Sequence, residues 1–233
     1  MRISPFLVLP AVLVLISSCQ RFTPPEFTEF TDIPDYRDVL TKFRRTFPHR
    51  LSLDQTAVIR KGFLELTSLG LCSFDAATDD ISVALVTTTG IKLLQAERKG
   101  GRITAETNIA QLAGSEDNSA RTLIEDVENI YFQPVGNPDY CELRGKFLTY
   151  GWSRNKNRTE LVFGTTADDM EIRLRIKKIY FDNSLRFLVY YSDYRNSGTL
   201  AVPYKICYEN SKSSYTLELR TIKLYNLPVG GTP

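Results

Sequence analysis

The sequence predicts a mainly β protein of the α+β class: a strongly curled antiparallel sheet, or incomplete β-barrel, of about 11–12 strands with two helices on its concave face. Three observations predict it. Short runs rich in β-branched and aromatic residues recur from Gln55 to Tyr225, separated by turn signals. Nearly all the links are of hairpin length, and no crossover helices alternate with the strands, which argues against a parallel sheet. Only two segments carry apolar residues at helical spacing.

The chain has 233 residues, 42% hydrophobic and 11% aromatic, enough for one sizeable core. Lys and Arg number 29 against 27 Asp and Glu, and this balance gives no case for a nucleic-acid partner. The N-terminus carries Arg2 and then an apolar run from Phe6 to Ile16 broken only by Pro10. That run is about a dozen residues, short of the roughly 20 that span a bilayer and suited to a signal-peptide core. Leu15-Ile16-Ser17-Ser18-Cys19 follows, an aliphatic and two small residues before a cysteine. It resembles the lipobox of bacterial lipoproteins, where the Cys sulfur receives diacylglycerol, cleavage falls just before the Cys and the new amine is acylated. The resemblance implies a signal peptide over 1–18, lipidation at Cys19 and a near-permanent membrane anchor. By the same resemblance, Gln20 rather than Asp after the Cys implies the outer membrane, with the rest of the chain facing the periplasm.

Residues 19–34 read as the lipidated Cys and an extended tether, because Pro24, Pro25 and Pro34 exclude a regular helix. About fifteen residues fully stretched reach roughly 50 Å. Phe22, Phe27 and Phe30 suit packing on the domain or on a bilayer surface. The domain is expected over 35–227, with a tail over 228–233. Its first element is a helix from Asp35 to Phe47, closed by Pro48. Tyr36, Val39, Leu40 and Phe43 form its apolar stripe, and Arg44 and Arg45 suit its C-terminal dipole. Strands are expected over Thr56–Leu66, Gly70–Phe74, Ile81–Thr87, Ile91–Glu97 and Arg102–Thr107, the last two joined by a tight Lys99-Gly100-Gly101 hairpin. Asp117, Asn118 and Ser119 are N-cap candidates for a second helix, whose apolar face is Leu123, Ile124, Val127, Ile130 and Tyr131 and which Pro134 ends. Strands resume over Tyr140–Leu143, Lys146–Trp152, Arg158–Phe163, Met170–Phe181, Leu185–Tyr191, Leu200–Tyr208 and Ser214–Tyr225. In Met170–Lys177 apolar Met170, Ile172, Leu174 and Ile176 alternate with Glu171, Arg173, Arg175 and Lys177. Ile179 and Phe181 fall on the other parity, so a bulge is expected near Lys177-Lys178, and another between Leu219 and Ile222.

The residues of enzyme chemistry are sparse. His49, the one histidine, follows Pro48 at a helix end, a place for a surface or capping residue. Gly151-Trp152-Ser153-Arg154-Asn155 lacks the last Gly of a nucleophile elbow. No Cys or His cluster has zinc spacing, and no Gly-rich loop leads a helix as a phosphate cradle does. Asp79-Asp80 and Asp168-Asp169 fall in turns, where Asp bonds locally. No catalytic residue, metal or cofactor is therefore expected. Arg173, Arg175, Lys177 and Lys178 make a basic stripe on the expected outer face, where solvation is the plain reading and attraction to anionic headgroups a minor one. Cys72, Cys141 and Cys207 suit one disulfide and a thiol, or three buried thiols.

What remains is apolar. Leu185, Phe187, Val189 and Tyr191 share one strand face, followed by Val202, Tyr204, Ile206 and Tyr208 and then Tyr215, Leu217 and Leu219. Such a sheet either packs on helices or lines a cavity. The expected cavity walls are Leu123, Ile124 and Val127 from the second helix, with Ile172, Leu174, Ile176, Phe187, Val189, Tyr191, Leu217 and Leu219 from the strands. The competing expectation is a packed core in a tethered interaction module, with Phe22, Phe27, Phe30 and Trp152 as its exposed contact surface.

The order of elements resembles the lipoprotein-localisation (LolA/LolB-like) family, from about Tyr36 to Tyr225. Gly62-Phe63-Leu64-Glu65-Leu66 with Gly70-Leu71-Cys72-Ser73-Phe74-Asp75, the helix Thr122-Leu123-Ile124-Glu125-Asp126-Val127, and Val202-Pro203-Tyr204-Lys205-Ile206 with Tyr215-Thr216-Leu217-Glu218-Leu219 carry the likeness. It implies an incomplete barrel lidded by helices around an apolar cavity for acyl chains. It also implies partners: the membrane through the N-terminal lipid, a lipid or acyl-chain ligand, and a periplasmic carrier or other envelope protein.

Overall fold

The computed structural model describes residues 24, 26–30, 32, 34–107 and 116–225. The expected signal peptide, Cys19, Phe22 and the 228–233 tail lie outside the described residues. Helix α1 (Tyr36–Thr46) starts where Asp35 caps it, its carboxylate accepting from the Arg37 N–H at 2.7 Å. The helix ends at Phe47, and the ring of His49 caps it further at 2.7 Å from the Arg44 carbonyl.

An antiparallel meander follows: β2 (Arg50–Lys61), β3 (Leu64–Asp75), β4 (Asp80–Val86), β5 (Lys92–Lys99) and β6 (Arg102–Thr107). The strand expected over Thr56–Leu66 is in fact the two arms of a hairpin. Gly62 adopts a φ of +59°, and Lys61 faces Leu64 across the turn. Helix α2 (Glu116–Tyr131) already contains the three N-cap candidates Asp117, Asn118 and Ser119. The chain returns through β7 (Tyr140–Arg144), β8 (Phe147–Arg154), β9 (Asn157–Thr166), β10 (Asp169–Phe181), β11 (Ser184–Ser197), β12 (Leu200–Asn210) and β13 (Tyr215–Tyr225). A two-residue strand β1 (Phe27–Thr28) pairs with the end of β9, so the described residues hold thirteen strands where about 11–12 were expected.

The order β6-β5-β4-β3-β2-β13-β12-β11-β10-β9-β8-β7 leaves β6 and β7 as edges, an unclosed sheet. Its curl shows in what α2 touches. Glu128 pairs with Arg98 of β5 at 2.9 Å, while Tyr191 of β11 donates to the Ile130 carbonyl at 2.5 Å and Lys177 of β10 to the Phe132 carbonyl. Strands from both arms therefore reach one helix, which lies along the trough. Bulges supply the bend. In β13 the shift against β2 falls between Thr221 and Lys223, just beyond the expected stretch from Leu219 to Ile222, and Ile222 itself stays exposed. In β10 the register against β9 shifts twice, between Asp169 and Arg173 and again at Arg175, both upstream of the expected Lys177-Lys178, and a shift against β11 falls at Ile179/Tyr180.

That displacement inverts the expected faces of β10. Arg175 is only 2% exposed and bonds the Gly164 carbonyl and Asp169, while Lys177 is 3% exposed and turned to α2. The basic stripe is thus not a solvated outer face. A side chain at the bulge spends its charge on a neighbouring carboxylate, and the residue two beyond it inherits the inward parity.

One end of the trough is closed and the other open. At the closed end α1 lies over the starts of β10 and β12; its Phe43 ring meets Phe163 edge-on at 5.0 Å, and the Tyr150 hydroxyl donates to the Tyr36 carbonyl. The strap also docks here. The Phe27 ring lies against Phe147 at 4.6 Å and over Gly164, where an added Cβ would stand 2.4 Å from it. At the open end stand the Gly62-Phe63 and Asp182-Asn183 turns and the Ser211–Ser214 turn.

Candidate functional site

Helix α2 divides the trough into two spaces. On one side, α2 and strands β2–β5 and β13 enclose an apolar groove of about 390 Å³. Its walls include Leu123, Val127 and Ile130 of α2, Ile59 of β2, Val83 and Leu85 of β4, and Leu217 and Leu219 of β13. The floor carries Ala57, Gly70 and Cys72. Small residues at alternating inward positions of β2 and β3 leave the space that Leu or Phe would fill. The mouth lies toward the open end, beside Lys61, Leu66 and Ser213, and the neighbouring hairpin tip exposes Phe63 fully and Leu64 largely.

The deep polar groups of the groove are bonded. Gln55 and Tyr131, each 2% exposed, exchange hydrogen bonds at 3.0 and 3.1 Å, and Gln55 also reaches Thr221 at 3.2 Å. Asp126 accepts from the Tyr215 hydroxyl and, at 3.4 Å, from the Asn210 amide. Burial pushes the Asp126 carboxyl up to about 6, against the downward pull of the bonds from Tyr215, Tyr208 and Asn210. Burial likewise pushes the Cys72 thiol up to about 12, so that floor residue is an apolar thiol. Cys72, Cys141 and Cys207 are all free, with Cys141 exposed.

On the other side of α2, toward β9–β11, lies a more polar cleft of about 720 Å³, lined by Glu125, Glu128, Phe132, Lys177, Arg186 and Phe187 among others. Burial pulls the Lys177 amine down to about 7, opposed in part by Glu128.

Of the residues expected to line a cavity, Leu123, Val127, Leu217 and Leu219 line the apolar groove and Phe187 the polar cleft. Ile172 and Leu174 border a crevice of about 20 Å³ against α1. Ile124, Val189 and Tyr191 are packed in the core, and Ile176 is turned from the trough by the bulge at Arg175. The groove residues that the expectation missed, Ala57, Gly70, Cys72, Val83 and Leu85, sit in the first meander. The signal in β3 is the period-two recurrence of the small residues Ser68, Gly70 and Cys72, and in β4 the alternation that puts Val83 and Leu85 on the inward face.

The described residues of the expected aromatic contact surface are not exposed. Trp152 is 5% exposed and donates to the Gly136 carbonyl at 3.2 Å, and Phe27 and Phe30 are half-buried against the domain. Asp79 pairs with Arg98 and Asp169 with Arg173 and Arg175. Among the described residues no group of three or more His, Cys, Asp and Glu is placed to hold a metal, and no helix is long and apolar enough to cross a membrane.

No family model and no curated relative matches the sequence. Solved structures similar to it include a LolA superfamily protein from Nitrosomonas europaea, 12% identical with a TM-score of 0.44, over 84% of this chain and 96% of that one. A DUF1329 family protein from Desulfovibrio piger is 10% identical with a TM-score of 0.46, over 84% and 93%. A Vibrio parahaemolyticus domain described as an outer membrane lipoprotein-sorting protein is 12% identical with a TM-score of 0.46, over 83% and 92%. The group that the order of sequence elements resembles is thus among the structures this chain is similar to. These TM-scores are below 0.5, so what the groove does is read from its own walls.

Proposed function

We propose that this chain is a non-enzymatic envelope lipoprotein, anchored in the outer membrane through Cys19, whose apolar groove binds an acyl chain of a lipid or lipoprotein. The observation that carries this is the groove: about 390 Å³, within the ~300–1,000 Å³ range of ligand pockets, with mostly apolar walls and its deep polar atoms already bonded to one another. A methylene moved into such a space contributes about 0.8 kcal/mol. A dozen of them sum to about 10 kcal/mol before the cost of ordering the chain. Exchange with a periplasmic carrier or another envelope protein fits a mouth edged by exposed Phe63, Leu64 and Leu66.

The docked strap bears on how such an anchor holds the domain. From β1 the chain runs back past Thr166, away from the groove mouth. Residues 19–26 reach about 27 Å, less than the roughly 40 Å of a twelve-residue strand. The mouth then faces away from the anchoring bilayer.

The test is native mass spectrometry with lipid extraction on the full chain carrying Cys19→Ser, prepared without detergent. Bound acyl species, or stoichiometric uptake of added fatty acid, is the expected result. A clean unliganded mass that added fatty acid or lipopeptide leaves unchanged contradicts the reading.

A further inference from the structure

The polar cleft has a composition that the apolar groove does not explain. Lys177 reaches into it from β10 and Arg186 from β11. The two carboxylates of the cleft are already engaged: Glu125 with Lys212 at 3.4 Å, and Glu128 with Arg98 at 2.9 Å. Among the described residues neither Lys177 nor Arg186 has a carboxylate within ion-pairing distance. Lys177 has only the Phe132 carbonyl, and Arg186 lies 6.0 Å from the ring centre of Phe181. A third group is also unsatisfied. The side-chain oxygen of Gln133, on the wall of the cleft, is buried without a hydrogen-bond donor. A buried acceptor left in that state destabilises the fold, so such an atom asks for a partner.

We propose that this cleft is a binding site for an organic phosphate that also carries hydroxyl or amine donors, the chemistry of a glycerophosphate or phosphoethanolamine headgroup. The phosphate takes the two spare cations, and a hydroxyl or amine donates to the Gln133 oxygen. Phe132, Ile179 and Phe187 give the carbon skeleton an apolar wall. The inference rests on the cleft alone and stands whether or not the groove across α2 holds an acyl chain.

A pH dependence follows. The Lys177 amine, at about 7, must be protonated to receive a phosphate, so affinity rises as the pH falls through that value. The charged groups that face it are Glu125 and Glu128 of α2, Arg186 of β11 and Lys212 of the β12–β13 turn, with Arg98 behind Glu128 and Tyr180 on its own strand.

The experiment is calorimetric titration of the full chain carrying Cys19→Ser with sn-glycerol 3-phosphate, phosphoethanolamine and inorganic phosphate, at pH 6 and pH 8. The two organic phosphates are expected to bind, about tenfold tighter at pH 6 than at pH 8, and Lys177→Met and Arg186→Gln each to weaken them about tenfold. Inorganic phosphate is expected to bind about tenfold more weakly, having no skeleton for the wall. Fatty-acid uptake by the same variants is expected to be unchanged, which separates this site from the groove. Binding of inorganic phosphate as tight as the organic ones overturns the headgroup assignment. No binding of any probe at pH 6, or binding that Arg186→Gln leaves untouched, overturns the site. Because Arg186 is only half-buried, its variant decides the matter if Lys177→Met fails to fold.

Discussion

The two sides of α2 are built from the same helix and the same sheet, yet they solve opposite problems. Toward β2–β5 and β13 the inward positions are small or aliphatic, and the deep polar atoms (Gln55, Tyr131, Asp126, Tyr215) are closed into local networks. Toward β9–β11 the bulge at Arg175 turns a lysine inward, two cations on the cleft wall have no carboxylate partner, and one buried amide oxygen has no donor. The difference teaches that a curled sheet makes an apolar pocket where its side chains are short, and a polar one where a bulge changes parity. The ionisable groups show the same contrast: burial raises the acid on the apolar side and lowers the base on the polar side.

The largest effect is expected from filling the groove. An added Cβ at Gly70 meets its neighbours at 3.8–3.9 Å, ordinary contact, so Gly70→Leu grows into the groove without backbone strain. Fatty-acid affinity, followed by displacement of a fluorescent fatty acid, should fall at least about 100-fold, because several methylene contacts of about 0.8 kcal/mol each are lost. Lys177→Met, across the helix, should leave that affinity unchanged. Equal losses from both variants would erase the distinction between the sides.

Next comes the network that closes the apolar side. Gln55→Leu strands the buried Tyr131 hydroxyl and should cost about 1–3 kcal/mol in urea unfolding. The pH effect runs through two buried groups. Asp126 has its folded pKa raised to about 6, so the folded state binds more protons than the unfolded one from about pH 4 to 6, and stability falls as pH rises through that window. Lys177 has its folded pKa lowered to about 7 from 10.5, so stability rises as pH climbs between those values. Asp126→Asn should flatten the first limb and raise stability at pH 8 by roughly 1–3 kcal/mol; Lys177→Met should flatten the second limb alone. Urea midpoints across the pH range read both.

The smallest effect concerns the strap. Gly164→Ala places a methyl group where the Phe27 ring lies, so β1 should leave β9 at a cost of up to about 1 kcal/mol. Faster amide exchange at Thr28, with the fatty-acid affinity intact, is the expected result.

Much of the architecture was legible in the sequence. Hairpin links and two helical stripes gave an unclosed antiparallel sheet with two helices, because alternation and turn residues are local properties. Asp35 and Pro48 gave the bounds of α1 for the same reason. The site was half legible. Large residues of β10 and β11 drew the expected cavity toward Ile176, Val189 and Tyr191, but large side chains fill space and small ones leave it. Ala57, Gly70 and Cys72 mark the groove only once β2 and β3 are seen as partners, and the hairpin turn at Gly62 was read as strand interior. The inward turn of Lys177 was beyond local reading, since it depends on which neighbour of β10 absorbs the extra residue.

The most direct measurement is paramagnetic broadening of backbone amides by a fatty acid spin-labelled near its tail. The account predicts that amides of Ala57, Gly70 and Leu217 broaden more strongly than those of Thr159, Ile179 and Phe187. Broadening centred on β9–β11, or none at saturating fatty acid, would contradict it.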